Sequence, residues 1–230
     1  MLTPEEQSAF VQSVENVQQA ASAHLGAQRS EQSVITFVRN LHQAVDRAVD
    51  AAAHRGARID CKAGCSHCCS ARVEAIAPEI FQIARELERR EPAELAQIVG
   101  RLQAHATAPD SQSLPWNQRE SCPFLQDRLC SIYQVRPAAC RKAHSSDVTE
   151  CEAHAPAIPQ DRETALHAEA LLIGTTGAYR QRGFDASSYE LVRAVLMALS
   201  DPSAQARWYG GEPVFDPGGA APANAMDDAS

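Results

Sequence analysis

The 230 residues carry 44% hydrophobic and 22% charged side chains, the composition of a globular chain large enough to bury its own core. A formal net charge of -8 argues against a general nucleic-acid binder, because phosphate backbones are gripped by clustered positive charge. No apolar run reaches the ~18–20 residues a membrane span needs, and the acidic opening MLTPEEQSAF is unlike a secretory signal. The expected setting is cytoplasmic, with no nucleic acid and no membrane as partner.

Residues 1–57 read as a helical pair. Thr3-Pro4-Glu5-Glu6 has the form of a capping box, with Thr3 as N-cap and Glu6 reaching back. Phe10, Val14, Val17 and Ala21 then recur on one helical face. A second helix is expected from near Ser30 to near Gly56, carrying Val34, Val38, Leu41, Val45 and Val49. The two are expected to lie antiparallel.

Residues 58–152 hold the cysteines. The stretch 57–77 reads as irregular. Pro78 opens a helix with Ile80, Ile83, Ala84 and Leu87 on one side, and Pro92 opens another with Leu95, Ile98, Val99 and Leu102. Residues 108–121 read as a loop. The short segments on either side of Gln126-Asp127-Arg128 predict a small hairpin. Pro137 starts a short helix holding Cys140.

Residues 153–209 read as C-terminal helices, the first over Glu163 to Gln181. A second capping box, Ser187-Ser188-Tyr189-Glu190, precedes Leu191, Val192, Val195, Leu196 and Leu199. Residues 210–230, rich in Gly, Pro and Ala, read as a disordered tail. Gly174-Thr175-Thr176-Gly177 follows no strand, so it is not a phosphate loop. The fold class is mostly α: a helical domain with an irregular cysteine-rich metal-binding face and at most a small hairpin.

All eight cysteines lie between Cys61 and Cys151. In a small secreted chain they would read as disulfides; in a reducing compartment the same clustering reads as metal ligation. Cys61, Cys65, Cys68 and Cys69 form a C-x3-C-x2-C-C block. Such spacing delivers several thiolates from one loop at little closure cost. Gly64 allows the tight turn. Adjacent Cys68 and Cys69 are expected to point apart. Cys122, Cys130, Cys140 and Cys151 are spaced too widely for one knuckle, so folding must gather them. The eight thiols suit two tetrathiolate sites, one per block, or sites mixed between the blocks.

These residues resemble a known family. Cys61-x3-Cys65-x2-Cys68-Cys69, followed by Cys122-Pro123-Phe124-Leu125, Cys130-Ser131-Ile132-Tyr133 and Arg136-Pro137-x2-Cys140-Arg141, is similar to the CxxCxxCC zinc- or iron-chelating proteins, often called YkgJ-like. The resemblance covers about residues 58–152. It implies thiolate metal binding and names no substrate. Larger relatives include flagellin lysine methylases credited with an iron–sulfur cluster. The absence of G-x-G-x-x-G, Walker A, H-E-x-x-H and G-x-S-x-G patterns counts against carrying that activity over.

Soft thiolates select zinc or iron–sulfur over magnesium or calcium. Both zinc and a [4Fe–4S] cluster take four thiolates. The uneven spread of ligands, and their excess over one site's needs, lean toward an Fe–S cluster rather than Zn2+. His67, His144 and His154 are expected behind the ligands or in solvent. Arg136 and Arg141 either stabilise thiolates or cap and cover the surface. Lys62 and Lys142 neighbour cysteines by chance. Phe124 and Tyr133 are expected beneath the metal loops, and Trp116 to shield the site or lie free. Three functions fit: a metal-binding protein with one or two centres, a protein-modifying enzyme of the methylase kind, or a zinc-ordered interaction module presenting Trp116 to an unknown protein partner.

Overall fold

The structure, a computed structural model, describes residues 2–108, 112, 114–115, 118–153, 155 and 157–216. Helix α1 (Pro4–Gly26) begins with the predicted box: Thr3 Oγ1 accepts from Glu6 N–H, and Glu6 Oε2 accepts from Thr3 N–H at 2.7 Å. The next predicted helix is divided at Phe37 into α2 (Glu31–Thr36) and α3 (Val38–His54). Its apolar stripe is buried as expected, with Val38, Leu41, Val45 and Ala48 inside.

These N-terminal helices do not pack chiefly on each other. Both α1 and α3 lie along α8 (Arg162–Gln181). The crossing of α1 and α8 explains the paired glycines. A Cβ on Gly174 would stand 2.7 Å from the Val14 carbonyl and the Val17 side chain, and one on Gly177 would stand 2.7 Å from Gln18. Only a residue without Cβ lets the two backbones approach this closely.

Strand β1 (Glu74–Ile76) runs directly into α4 (Ala77–Leu87), which is buried almost all round. Helix α5 (Pro92–Thr107) follows, opened by its proline. Leu125–Gln126 (β2) and Leu129–Cys130 (β3) form the expected hairpin. Its turn residues Asp127 and Arg128 have φ of 48° and 63°, the two positive values that match the twist of a two-residue loop. Short helices α6 (Ala138–Lys142) and α7 (Val148–Glu152) carry Cys140 and Cys151.

After α8 the expected Ser187 capping box does not form. Ser188–Glu190 is instead strand β4, paired antiparallel with β1 so that Ala75 faces Tyr189. Glu190 itself caps α9 (Leu191–Ser200), its carboxylate accepting from the N–H groups of Val192 and Arg193. Helix α9 covers α4 and α5, and α10 (Ala204–Tyr209) sends Trp208 into the core against Phe81, Tyr179 and Phe184.

The reading of 210–230 as a disordered tail is corrected over its first part. Val214 and Phe215 are buried, and the Phe215 ring meets Phe81 at 5.4 Å and Tyr189 at 5.2 Å between centroids. Residues 217–230 lie outside the described residues. No helix among the described residues is long and apolar enough to cross a membrane.

Candidate metal centre

The first cysteine block is a compact loop. Gly64 takes a φ of 85°, which an L side chain resists, and Cys65 N–H closes the turn on Lys62 O at 3.0 Å. Residues His67–Ser70 then form a 3-10 turn, with Cys69 N–H on Ser66 O at 3.0 Å and Ala71 N–H on Cys68 O at 3.1 Å. Cys68 and Cys69 are consecutive in this tight turn, where the neighbouring Cys69 thiol favours the protonated form of Cys68.

The loop is held between two other segments. On one side lies the 145–152 stretch, with α7 packed on the 3-10 turn. Asp60 N–H donates to Ser145 O at 2.8 Å, and Val148 N–H donates to Asp60 Oδ2 at 3.1 Å. Ser145 serves two cysteines at once. Its N–H donates to Cys61 Sγ at 3.2 Å, and its Oγ accepts from Cys151 Sγ at 3.3 Å. On the other side stands the hairpin region. Cys122 N–H donates to Cys69 O at 2.7 Å, and Arg128 at the hairpin tip donates to Gly64 O at 3.2 Å. Cys130 stands in β3 opposite Leu125, and Ser131 N–H closes on Phe124 O at 2.8 Å.

The arrangement is therefore mixed between the two sequence blocks. Cys61 feels the charges of Cys65, Cys68 and Cys151. Cys140 feels those of Cys122, Cys68 and Cys130. Burial pushes the Cys61 and Cys122 thiols up to about 11, and neighbouring thiols add to the push. Cys130 is raised by burial too, against a lowering by the Arg136 charge. Cys140 is raised further by burial, and Cys68 most of all by the neighbouring Cys69 thiol. Gathered sulfurs that hold their protons this firmly are a poor anion site and a good place for a soft cation, whose charge makes ionisation favourable.

Beneath Cys140 lies a support that the sequence reading missed. Glu79, on α4, and His42, on α3, are each 4% exposed and form a pair at 2.9 Å. The same carboxylate accepts from Ala138 N–H at 2.7 Å and from Ile76 N–H at 3.2 Å. It thus caps α6, whose own N-cap, Pro137, offers no side-chain bond. The available signal was His42 on the apolar stripe of Val38, Leu41 and Val45. Buried polar groups in such a stripe require partners.

The flanking arginines divide. Arg141 is buried and spans Asp46, Arg136 O and Gln134 O, a bracing role. Arg136 also meets Asp46 and lies over the Tyr133 ring at 3.8 Å, where its charge reaches Cys130. Lys142 pairs with Glu169 on α8. Phe124 is fully buried as expected, but Tyr133 is 56% exposed and does not underlie the loops. His67 faces Glu152 at 4.0 Å. His144 turns Nδ1 to Lys142 O at 2.9 Å and leaves a buried Nε2 without a hydrogen-bond partner. That is the tautomer in which Nε2 can accept a metal. Trp116 and His154 lie outside the described residues.

As the side chains stand, no group of three or more His, Cys, Asp or Glu among the described residues is drawn together closely enough to hold an ion. The donor chemistry nevertheless fits zinc or iron. All eight thiols are free, two sets of them act on each other, and a sulfur-rich donor set with no converging carboxylates is what those metals select. No curated protein and no solved structure matches the chain. A family model does, over a span reaching from the residue before Cys61 to the start of α8. Residues 60–162 match the model of the CxxCxxCC family, whose description is "putative zinc- or iron-chelating domain".

Proposed function

We propose that the chain is a cytoplasmic metal-binding protein that holds zinc or iron through its cysteine thiolates. Cys61, Cys65 and Cys151 supply one side, Cys122, Cys130 and Cys140 the other, and Cys68 and Cys69 lie between. One observation carries the reading: cysteines up to 90 positions apart in sequence are tied to one loop by hydrogen bonds, through Ser145 N–H and Oγ to the Cys61 and Cys151 sulfurs and through the main chain from Cys122 N–H to Cys69 O. Orphaned thiols gain little from such convergence, whereas a shared cation repays it. The bound metal would stabilise an irregular region that has few strands or helices of its own.

Two groups of sulfur account for the abundance of cysteine that leaned the sequence reading toward an iron–sulfur cluster, so zinc and iron are matched by the donors equally. Metal and acid-labile sulfide analysis of protein purified without oxygen decides between them. Iron with sulfide and visible charge-transfer absorption identifies a cluster; colourless protein with zinc identifies a structural thiolate site. Protein carrying neither metal overturns the proposal.

A further inference from the structure

A cleft of about 640 Å³ opens between α1 and the C-terminal end of α8, two helices that carry no cysteine. Small-molecule sites fall in the range of ~300–1,000 Å³. The lining is polar: Glu15, Gln18, Gln19 and Ser22 come from α1, Gln181 and Arg182 from the end of α8. We propose that this cleft binds a short peptide-like zwitterion, with its carboxylate on Arg182 and its ammonium toward Glu15.

Arg182 is held in place for that role. Its Nε donates to Ser22 O at 2.8 Å and to Ser22 Oγ at 3.1 Å, and Ser22 is buried. The guanidinium lies against Gly26, where an added Cβ would stand 2.5 Å from Nη2 and 2.8 Å from Nη1. Capping the last turn of α1 uses Nε alone. Among the described residues no acceptor bonds Nη1 or Nη2, and no carboxylate pairs with this side chain. A seated guanidinium with both Nη groups unengaged is the fork that a carboxylate meets bidentately. Glu15 precedes Ser22 by two helical turns, about 10 Å along α1, and pairs with no cation among the described residues. Its charge disfavours a dianion in the cleft and favours an ammonium. Three residues of extended peptide span about 10 Å, which matches that separation. The amides of Gln18, Gln19 and Gln181 offer donors and acceptors to the peptide groups of such a ligand.

The test titrates the full chain with trialanine, followed by calorimetry and by NMR of the main-chain amides. Trialanine should bind saturably and shift the signals of Gln18, Ser22 and Arg182. Its C-terminal amide and its N-acetyl form should each bind about tenfold more weakly, since each lacks one of the two charges. Gly26→Ala keeps every charge but displaces the guanidinium, and Arg182→Lys keeps the charge but loses the fork; both should weaken trialanine by a similar factor. The three probes are compared on the unmodified chain, so the result does not depend on either variant folding. No saturable binding by about 10 mM trialanine overturns the proposal. Equal binding of trialanine and its C-terminal amide overturns the carboxylate contact, and equal binding of the N-acetyl form overturns the zwitterion. The same shifts produced by sodium chloride at matched ionic strength also overturn it.

Discussion

Replacing Glu79 with leucine should cripple the support of Cys140 without touching a cysteine. The carboxylate accepts three bonds in a buried setting, from His42 Nε2, Ala138 N–H and Ile76 N–H. Leucine fills similar space and accepts none. Each buried donor left unpaired costs about 1–3 kcal/mol, so with three of them the loss should be about 3–9 kcal/mol before relaxation. That is a large share of the ~5–15 kcal/mol by which folded domains exceed their unfolded state. For a chain of this size it lowers the melting temperature by on the order of 10 °C or more. The local consequence is more specific. Ala138 is the first residue of α6 and Cys140 the third, so loosening that end should speed alkylation of Cys140 more than that of Cys151. Glu79→Gln keeps one acceptor oxygen and should lose about 1–3 kcal/mol. Thermal unfolding gives the first quantity, and mass-spectrometric labelling rates give the second. A Glu79→Leu protein that melts within about 2 °C of the parent, with unchanged Cys140 labelling, would refute the reasoning.

Further outcomes follow from other parts of the molecule. Gly174→Ala should destabilise by about 1–3 kcal/mol through overpacking against the Val14 carbonyl. Gly100→Ala, where an added Cβ meets nothing within 4 Å on α5, should stabilise by about 0.5–1 kcal/mol; chemical denaturation of the pair reads both signs. Phe215→Ala should cost about 3–5 kcal/mol, because the ring is buried against Phe81 and Tyr189; urea unfolding that matched the parent would place this residue back in a disordered tail. Cys61 and Cys122 are raised from 9.0 to about 11 in the fold, so the metal-free fold favours their neutral form. Its stability should be fully present below pH ~9 and fall as pH rises toward 11. Metal-loaded protein, with these thiols already ionised, should not show that fall, and its assembly should release protons measurable by calorimetry in buffers of different ionisation enthalpy.

Much of the architecture is written locally. Thr3, Pro78, Pro92 and Pro137 mark helix starts because capping and proline geometry act over three or four residues, and the chain obeys them. The hairpin is legible because Asp127-Arg128 separates two short segments. What is not legible depends on distant partners. Strands β1 and β4 are three residues each and lie more than a hundred positions apart, too short to show a period and defined only by pairing. The tail looks featureless from its glycines and prolines, yet Val214 and Phe215 are buried, with the Phe215 ring against Phe81 of α4 and Tyr189 of β4. At the site, the residue types pointed to soft-metal chemistry. The grouping did not follow from spacing, because Ser145, a residue of no chemical distinction, decides that Cys151 joins Cys61.

The most direct measurement is a count of reactive thiols on native protein before and after a chelator removes its metal, all without oxygen. Thiolate ligation predicts that a non-denaturing thiol reagent meets few accessible sulfurs in the loaded chain and all eight once the metal is gone. Eight sulfurs reacting at the same rate in both samples would contradict it.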